Sequence, residues 1–213
     1  MKTDDLISML ATGVTPVDRR MLAKRFCIAV LAGAAGATLL VATILGVRHD
    51  LAQVAHTPIF WAKIALPLAL MLASLRMTVR LARPGITVRG SWLAIGVPVA
   101  IVWLGALYVL ASAQPDERLA IVLGKTWRVC PFNITILSIP GFVGVFWALK
   151  GLSPTRLTLT GAAGGLLAGS TATLAYCLHC PEMGVPFWGV WYLLGMMIPT
   201  IAGAILGSRL LHW

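Results

Sequence analysis

Apolar residues in this chain run unbroken for about twenty positions at a time, and they do so six times: at about 26–47, 58–79, 92–111, 131–149, 159–178 and 186–208. A helix needs roughly 20 apolar residues to cross the hydrocarbon core of a bilayer. In hydrocarbon every backbone N–H and C=O must be paired internally, which leaves only helices and closed barrels. Barrel strands alternate in polarity and these runs do not, so helices are expected. Breakers separate them: Arg83-Pro84-Gly85, Gln114-Pro115-Asp116, Gly151-Leu152-Ser153-Pro154 and Cys180-Pro181. The chain is 59% hydrophobic and 11% charged, whereas a soluble domain is about 45–50% apolar and about 25% charged. The expectation is an all-α, polytopic membrane bundle of six transmembrane helices: a cytoplasmic segment 1–25, then a six-helix transmembrane domain, 26–213.

Charge sets the orientation. The N-terminal segment (Lys2, Arg19, Arg20, Lys24, Arg25), the second connection (Arg76, Arg80, Arg83, Arg89), the fourth (Lys150, Arg156) and the tail (Arg209) carry twelve basic residues. The opposite side carries four: Arg48, Arg118, Lys125 and Arg128. The positive-inside rule puts both termini in the cytoplasm and turns the first, third and fifth connections outward. The net charge of +10 therefore belongs to anionic headgroups, and no direct nucleic acid binding is expected. The first 25 residues are too polar for a cleavable signal, so the first apolar run is read as the insertion signal. Trp61, Trp127, Trp188 and Trp191 near outer span ends, and Trp92, Trp147 and Trp213 near inner ones, read as aromatic belts; Trp103, mid-span, reads as packing. Lys63, the one charge well inside a span, is expected to snorkel outward. Gly161, Gly165 and Gly169, with Gly203 and Gly207, form small-residue stripes that let helices approach closely.

This topology brings Trp127-Arg128-Val129-Cys130-Pro131 and Cys177-Leu178-His179-Cys180-Pro181-Glu182 to one outer rim. Cys130, Cys177, Cys180 and His179 form a soft donor set suited to Cu(I), zinc or cadmium, with Glu182 and Met183 near in sequence. Cys177 and Cys180, three apart, share a helix face. Each of Cys130 and Cys180 precedes a proline, which biases it toward extended backbone. Cys180, eleven residues beyond Gly169, is expected to turn into the bundle. Cys27, across the membrane, reads as a small buried apolar residue. The pattern alone leaves inert packing, a disulfide and a metal site all open.

The head begins Met-Lys-Thr-Asp-Asp-Leu-Ile-Ser-Met-Leu. Thr3 can cap a short helix, with Asp4 and Asp5 favourable in its first turn. Leu6, Ile7, Met9 and Leu10 give it an apolar face, and Gly13 and Pro16 end it. Such a face must rest on a partner or on the bilayer. No phosphate loop, His-Glu-x-x-His or nucleophile elbow occurs. Spans three to six lack Asp and Glu, which argues against a proton-coupled transporter.

The opening Lys2-Thr3-Asp4-Asp5-Leu6-Ile7, Pro16-Val17, Phe60-Trp61-Ala62-Lys63, Trp127-Arg128-Val129-Cys130-Pro131, His179-Cys180-Pro181-Glu182 and the six-span layout together resemble the NrsF family. These are six-span bacterial membrane anti-sigma factors, negative regulators of the extracytoplasmic-function sigma factor sigma F. The likeness covers essentially the whole chain. It implies an inner-membrane regulator of transcription, not an enzyme, that holds a sigma factor through its cytoplasmic parts. Asp4, Asp5, Leu6, Ile7, Leu10 and Pro16 are the expected partner-binding residues. It also implies release under heavy-metal or oxidant stress through a periplasmic cysteine pair, Cys130 and Cys180, with no permanent cofactor but a copper or cadmium ion or a disulfide at that pair. Cys27 and Cys177 match no family position, so Cys177 as a third ligand rests on the residues alone. A membrane thiol–disulfide oxidoreductase using the same cysteines is the second reading, and a small metal-transport subunit the third.

Overall fold

The computed structural model describes residues 3–12, 20–83 and 85–212. Among them the regular structure is helical: α1 (Thr3–Ala11), α2 (Met21–Leu40) running on into a π-helical turn (Val41–Leu45), a one-turn α3 (Leu51–Val54), α4 (Pro58–Leu81), α5 (Arg89–Ser112), a short α6 (Arg118–Leu123), α7 (Cys130–Leu149), α8 (Leu157–Tyr176) and α9 (Val185–Leu210). Pro58, Pro131 and Pro186 fall in the first turns of α4, α7 and α9, where a missing N–H costs nothing. Cys130 is accordingly helical rather than extended: its N–H bonds Thr126 O at 3.0 Å, and Pro131 starts the helix instead of displacing the residue before it.

Among the described residues, five helices are long and apolar enough to cross a membrane: α2 with its π turn, α4, α5, α7 and α9. The remaining long helix, α8, is richer in Gly, Thr and Ser, and most of its 20 residues are buried. It packs against α2, α4, α7 and α9, so its neighbours rather than an apolar surface shield it. Its hydroxyls are consumed internally: Thr160 donates to Arg156 O, Ser170 to Leu166 O, Thr171 to Leu167 O and Thr173 to Gly169 O, all within 2.7–2.9 Å. The glycine stripe lies where α8 meets α9. A Cβ on Gly165 would overlap the Pro199 carbonyl and come 2.9 Å from Thr200 Cα.

The buried residues form two large clusters, one toward each end of the bundle, and a smaller third one around Met77, Leu81, Val88 and Ala163. At one end Cys130, Ile134, Tyr176, Cys177, Cys180, Phe187, Trp188 and Tyr192 pack together. At the other, Phe26 and Ala29 meet Ala82, Phe146, Leu149 and Leu211, and Arg25 donates to Lys150 O at 3.3 Å. The connections after α2, α6 and α8 therefore share one end, and those after α4 and α7 share the other with the start of α2. Trp61, Trp92 and Trp147 face outward, as belt residues do. Trp188 does not: it is buried and donates to Met183 O at 3.4 Å, because the bend after Cys180 folds the start of α9 inward. Trp103 is more than packing, donating its indole N–H to Gly189 O at 3.0 Å. Every residue of α1 is exposed, including Asp4, Asp5, Leu6, Ile7 and Leu10. Gly13, Pro16, Val17 and Trp213 lie outside the described residues.

Candidate functional site

The three rim cysteines converge. After α8 the chain keeps turning, with the N–H groups of both His179 and Cys180 bonding Tyr176 O at 3.0 Å. This continued winding carries Cys180 inward before Pro181 stops it. Cys130 and Cys180 are fully buried and Cys177 nearly so, all in one apolar cluster. The four cysteines carry free thiols. Cys27 is exposed on the outward face of α2; the opening of that helix packs through Phe26 and Ala29, which leaves Cys27 on the other side.

Two tyrosines floor the cluster, their rings 5.9 Å apart edge to face. Tyr176 stands by the Cys130 thiol and Asn133. Tyr192 lies beside Cys177 and Cys180, yet its buried Oη makes no well-formed hydrogen bond. Lys63 does not snorkel outward. It is completely buried, donates Nζ–H to Cys180 O at 2.7 Å and sits 5.7 Å from the Tyr192 ring centre. Arg48 donates to the same carbonyl at 3.2 Å and grips Asp50 through both carboxylate oxygens at 2.7 Å. That hydrogen bond holds the Asp50 carboxyl below its usual range. Two cations thus converge on the backbone of Cys180, one from α4 and one from the loop after α2.

The remaining candidates are held elsewhere. His179 is half-buried, its Nδ1 2.8 Å from Gly46 O. A carbonyl only accepts, so Nδ1 is the donor and the ring is oriented by Gly46 rather than by the thiols. Glu182 accepts from the Lys125 N–H at 2.7 Å, against Gly124, whose positive φ of 55° ends α6 and whose missing Cβ leaves room for the carboxylate. Met183 Sδ accepts from Arg48 at 3.7 Å. Among the described residues no three His, Cys, Asp or Glu side chains gather closely enough to hold a metal ion. The soft donors in hand are the clustered thiols.

Lys63, Arg48, Tyr176 and Tyr192 complete the site without having been singled out as part of it. The sequence carried one usable signal: an ionisable residue inside a span is a site candidate by default. The tyrosines gave none, since an aromatic within an apolar run looks like core.

A helical bundle with a buried thiol cluster at one end, basic loops at the other and an uncovered amphipathic head is the build of a membrane-embedded regulator, not of a soluble enzyme. Residues 10–213 match the family described as NrsF, negative regulator of sigma F, and the chain belongs to that family. It is similar over its full length, and over the full length of each relative, to the probable anti-sigma-F factor NrsF of Azospira oryzae (47% identical) and to the anti-sigma-F factor NrsF of Caulobacter vibrioides (38% identical). No solved structure matches it. The family is regulatory rather than catalytic, and the chain is not an enzyme.

Proposed function

We propose that this protein is a bacterial inner-membrane anti-sigma factor that sequesters an extracytoplasmic-function sigma factor and releases it when a soft metal or an oxidant reaches Cys130 and Cys180. The observation that carries the reading is the burial of both thiols in one cluster formed by the start of α7 and the turn after α8. In this reading α8 is the sixth span. Its neighbours surround it, so it needs no apolar surface of its own. The twelve-to-four excess of basic residues sets both termini and the connections after α4 and α7 in the cytoplasm, with the thiol end in the periplasm.

Oxidation removes two protons and two electrons from the thiols to the oxidant and leaves a Cys130–Cys180 disulfide; a soft ion bridges the two thiolates instead. Either one fastens the outer end of α7 to the turn after α8. The same turn is bonded to α4 through Lys63 and to the loop after α2 through Arg48. A change at Cys180 therefore shifts α4, α7 and α8 together, and their inner ends carry the basic loops. A 100-fold loss of sigma affinity requires about 2.7 kcal/mol, within the roughly 1–3 kcal/mol typical of allosteric coupling.

The test is capture of the sigma factor from membranes, with and without copper, cadmium or an oxidant. Wild type should release it, whereas Cys130→Ser and Cys180→Ser should stay inserted and keep it bound. Normal release from either variant would overturn the assignment. Cys177→Ser should still respond, because the family likeness falls on Cys130 and Cys180 and not on Cys177.

A further inference from the structure

On the flank formed by α4, α5, α8 and α9 the helices leave space between them. Helix α5 packs on α4 and α9 but buries only Ser91 of its 24 residues. Between α5 and α8 lies a cavity of about 580 Å³, lined by Met77 of α4, Ile95 and Val99 of α5, Ala163 and Leu166 of α8 and Leu193 of α9. The lining is almost wholly apolar. The Thr200 hydroxyl is already bonded to Met196 O and the Trp103 indole to Gly189 O. Such a space favours hydrocarbon over water.

Directly beyond it, where α4 ends and α8 begins, is a second pocket of about 130 Å³, lined by Arg83, Thr87, Thr155 and Arg156. The two are close. Met77 lines the cavity and Leu81, one turn later on α4, lines the pocket; Leu159 lines the cavity and Arg156, three residues earlier and just before α8, lines the pocket. One turn is about 5.4 Å, so the pocket lies about one helical turn beyond the cavity, toward the basic end of the bundle. Met77, Leu81, Val88 and Ala163 pack as one cluster at the junction. None of the chain's seven Asp and Glu residues falls in the connections 82–88 or 150–156, so no acidic side chain of these loops neutralises the two guanidinium groups.

We propose that this flank binds one anionic phospholipid from the leaflet around the basic end of the bundle. Its phosphate sits between Arg83 and Arg156, with the Thr87 and Thr155 hydroxyls as donors, and one acyl chain fills the cavity between α5 and α8. Basic pockets between membrane helices hold anionic headgroups in this way, and guanidinium groups match phosphate geometry. A soluble phosphate would leave the apolar cavity empty. A zwitterionic lipid would bring its own cation against two arginines. The bound lipid completes the contact that α5 lacks on its inner face. The inference rests on the bundle lying in a bilayer but involves no sigma factor, so the two readings fail separately.

The experiment takes the full-length chain in mild detergent and follows retained lipid by native mass spectrometry after exposure to phosphatidylglycerol or phosphatidylcholine. Wild type should retain one phosphatidylglycerol, at least tenfold in preference to phosphatidylcholine. The double variant Arg83→Gln/Arg156→Gln should lose the headgroup preference. Ala163→Phe should lose retained lipid of both kinds, and if that variant does not fold, Ile95→Trp blocks the same cavity from the loosely held helix. Equal retention of the two lipids by wild type would overturn the proposal, as would unchanged retention in the arginine or cavity variants. Displacement of the lipid by millimolar inorganic phosphate would also overturn it, reducing the site to an anion pocket.

Discussion

A buried ammonium with no carboxylate opposite it is expensive, about 2.5–3.5 kcal/mol even by the gentlest scale for a residue at the centre of a spanning helix. Among the described residues no carboxylate pairs with Lys63; it has the Cys180 carbonyl and the face of Tyr192. We therefore expect Lys63→Met to keep the fold, since the change removes a charge rather than a volume, but to loosen the turn that carries Cys180. A hydrogen bond to a charged group contributes about 1.5–3 kcal/mol, so the turn should open on the order of tenfold more often or above. In a variant whose only cysteine is Cys180, alkylation of intact membranes should speed up accordingly, and Lys63→Arg should recover part of the loss. An unchanged rate would show that Arg48 alone holds the carbonyl. Residue by residue, the sequence was informative about depth and silent about direction. Charge asymmetry sufficed to bring Cys130 and Cys180 to one rim. The long stem of Lys63 could have led outward or inward, and the choice depends on a carbonyl 117 positions away. Cys27 went the other way for the same reason, because nothing in an evenly apolar run says which face meets lipid.

At the scale of single helices the same reasoning separates α8 from the rest. The breakers and prolines located every long helix to within a few residues, since Pro and Gly act locally. What α8 does is not local. Its polar composition is explained only once α2, α4, α7 and α9 are seen packed around it, and the buried hydroxyls of Thr160, Ser170, Thr171 and Thr173 are harmless because each reaches its own backbone. The glycine stripe, by contrast, was legible: four-residue spacing of small side chains has one structural use in lipid. Gly165→Leu should be severe. The added atoms meet the backbone of Pro199 and Thr200 rather than a side chain that could rotate. Overpacking commonly costs about 1–3 kcal/mol, and a clash with backbone lies at or beyond the upper end. Membrane accumulation and thermal stability in detergent should both fall sharply. Gly96→Ala on α5, where a Cβ meets nothing within 4 Å, is the control and should leave both unchanged. Equal behaviour of the two variants would mean that α8 and α9 do not pack closely along this stripe.

Taken whole, the molecule is asymmetric along the bundle axis. One end is sealed around thiols and carries nearly balanced charge; the other is basic, and α2 begins there. Helix α1 keeps Leu6, Ile7, Met9 and Leu10 exposed together, and buries nothing of its own. Fully burying a large apolar side chain contributes about 1.5–3 kcal/mol. Even partial cover of four such residues by a partner is therefore worth several kcal/mol, and Asp4 and Asp5 beside them add negative charge to an otherwise basic face. A bilayer surface would cover the same apolar residues but would repel those carboxylates from anionic headgroups, which favours a protein partner with basic residues of its own. Deleting residues 2–15 should accordingly leave the chain inserted and lower sigma capture at least tenfold, so that sigma-dependent transcription runs without any inducer. Leu6→Ser/Leu10→Ser should reproduce most of that loss, because the apolar contact dominates, while Asp4→Asn/Asp5→Asn should weaken capture mainly at low salt and make it less sensitive to salt. Undiminished capture by the deletion would transfer docking to the loops after α4 and α7, the inner ends that the proposed link between Cys130 and Cys180 would move.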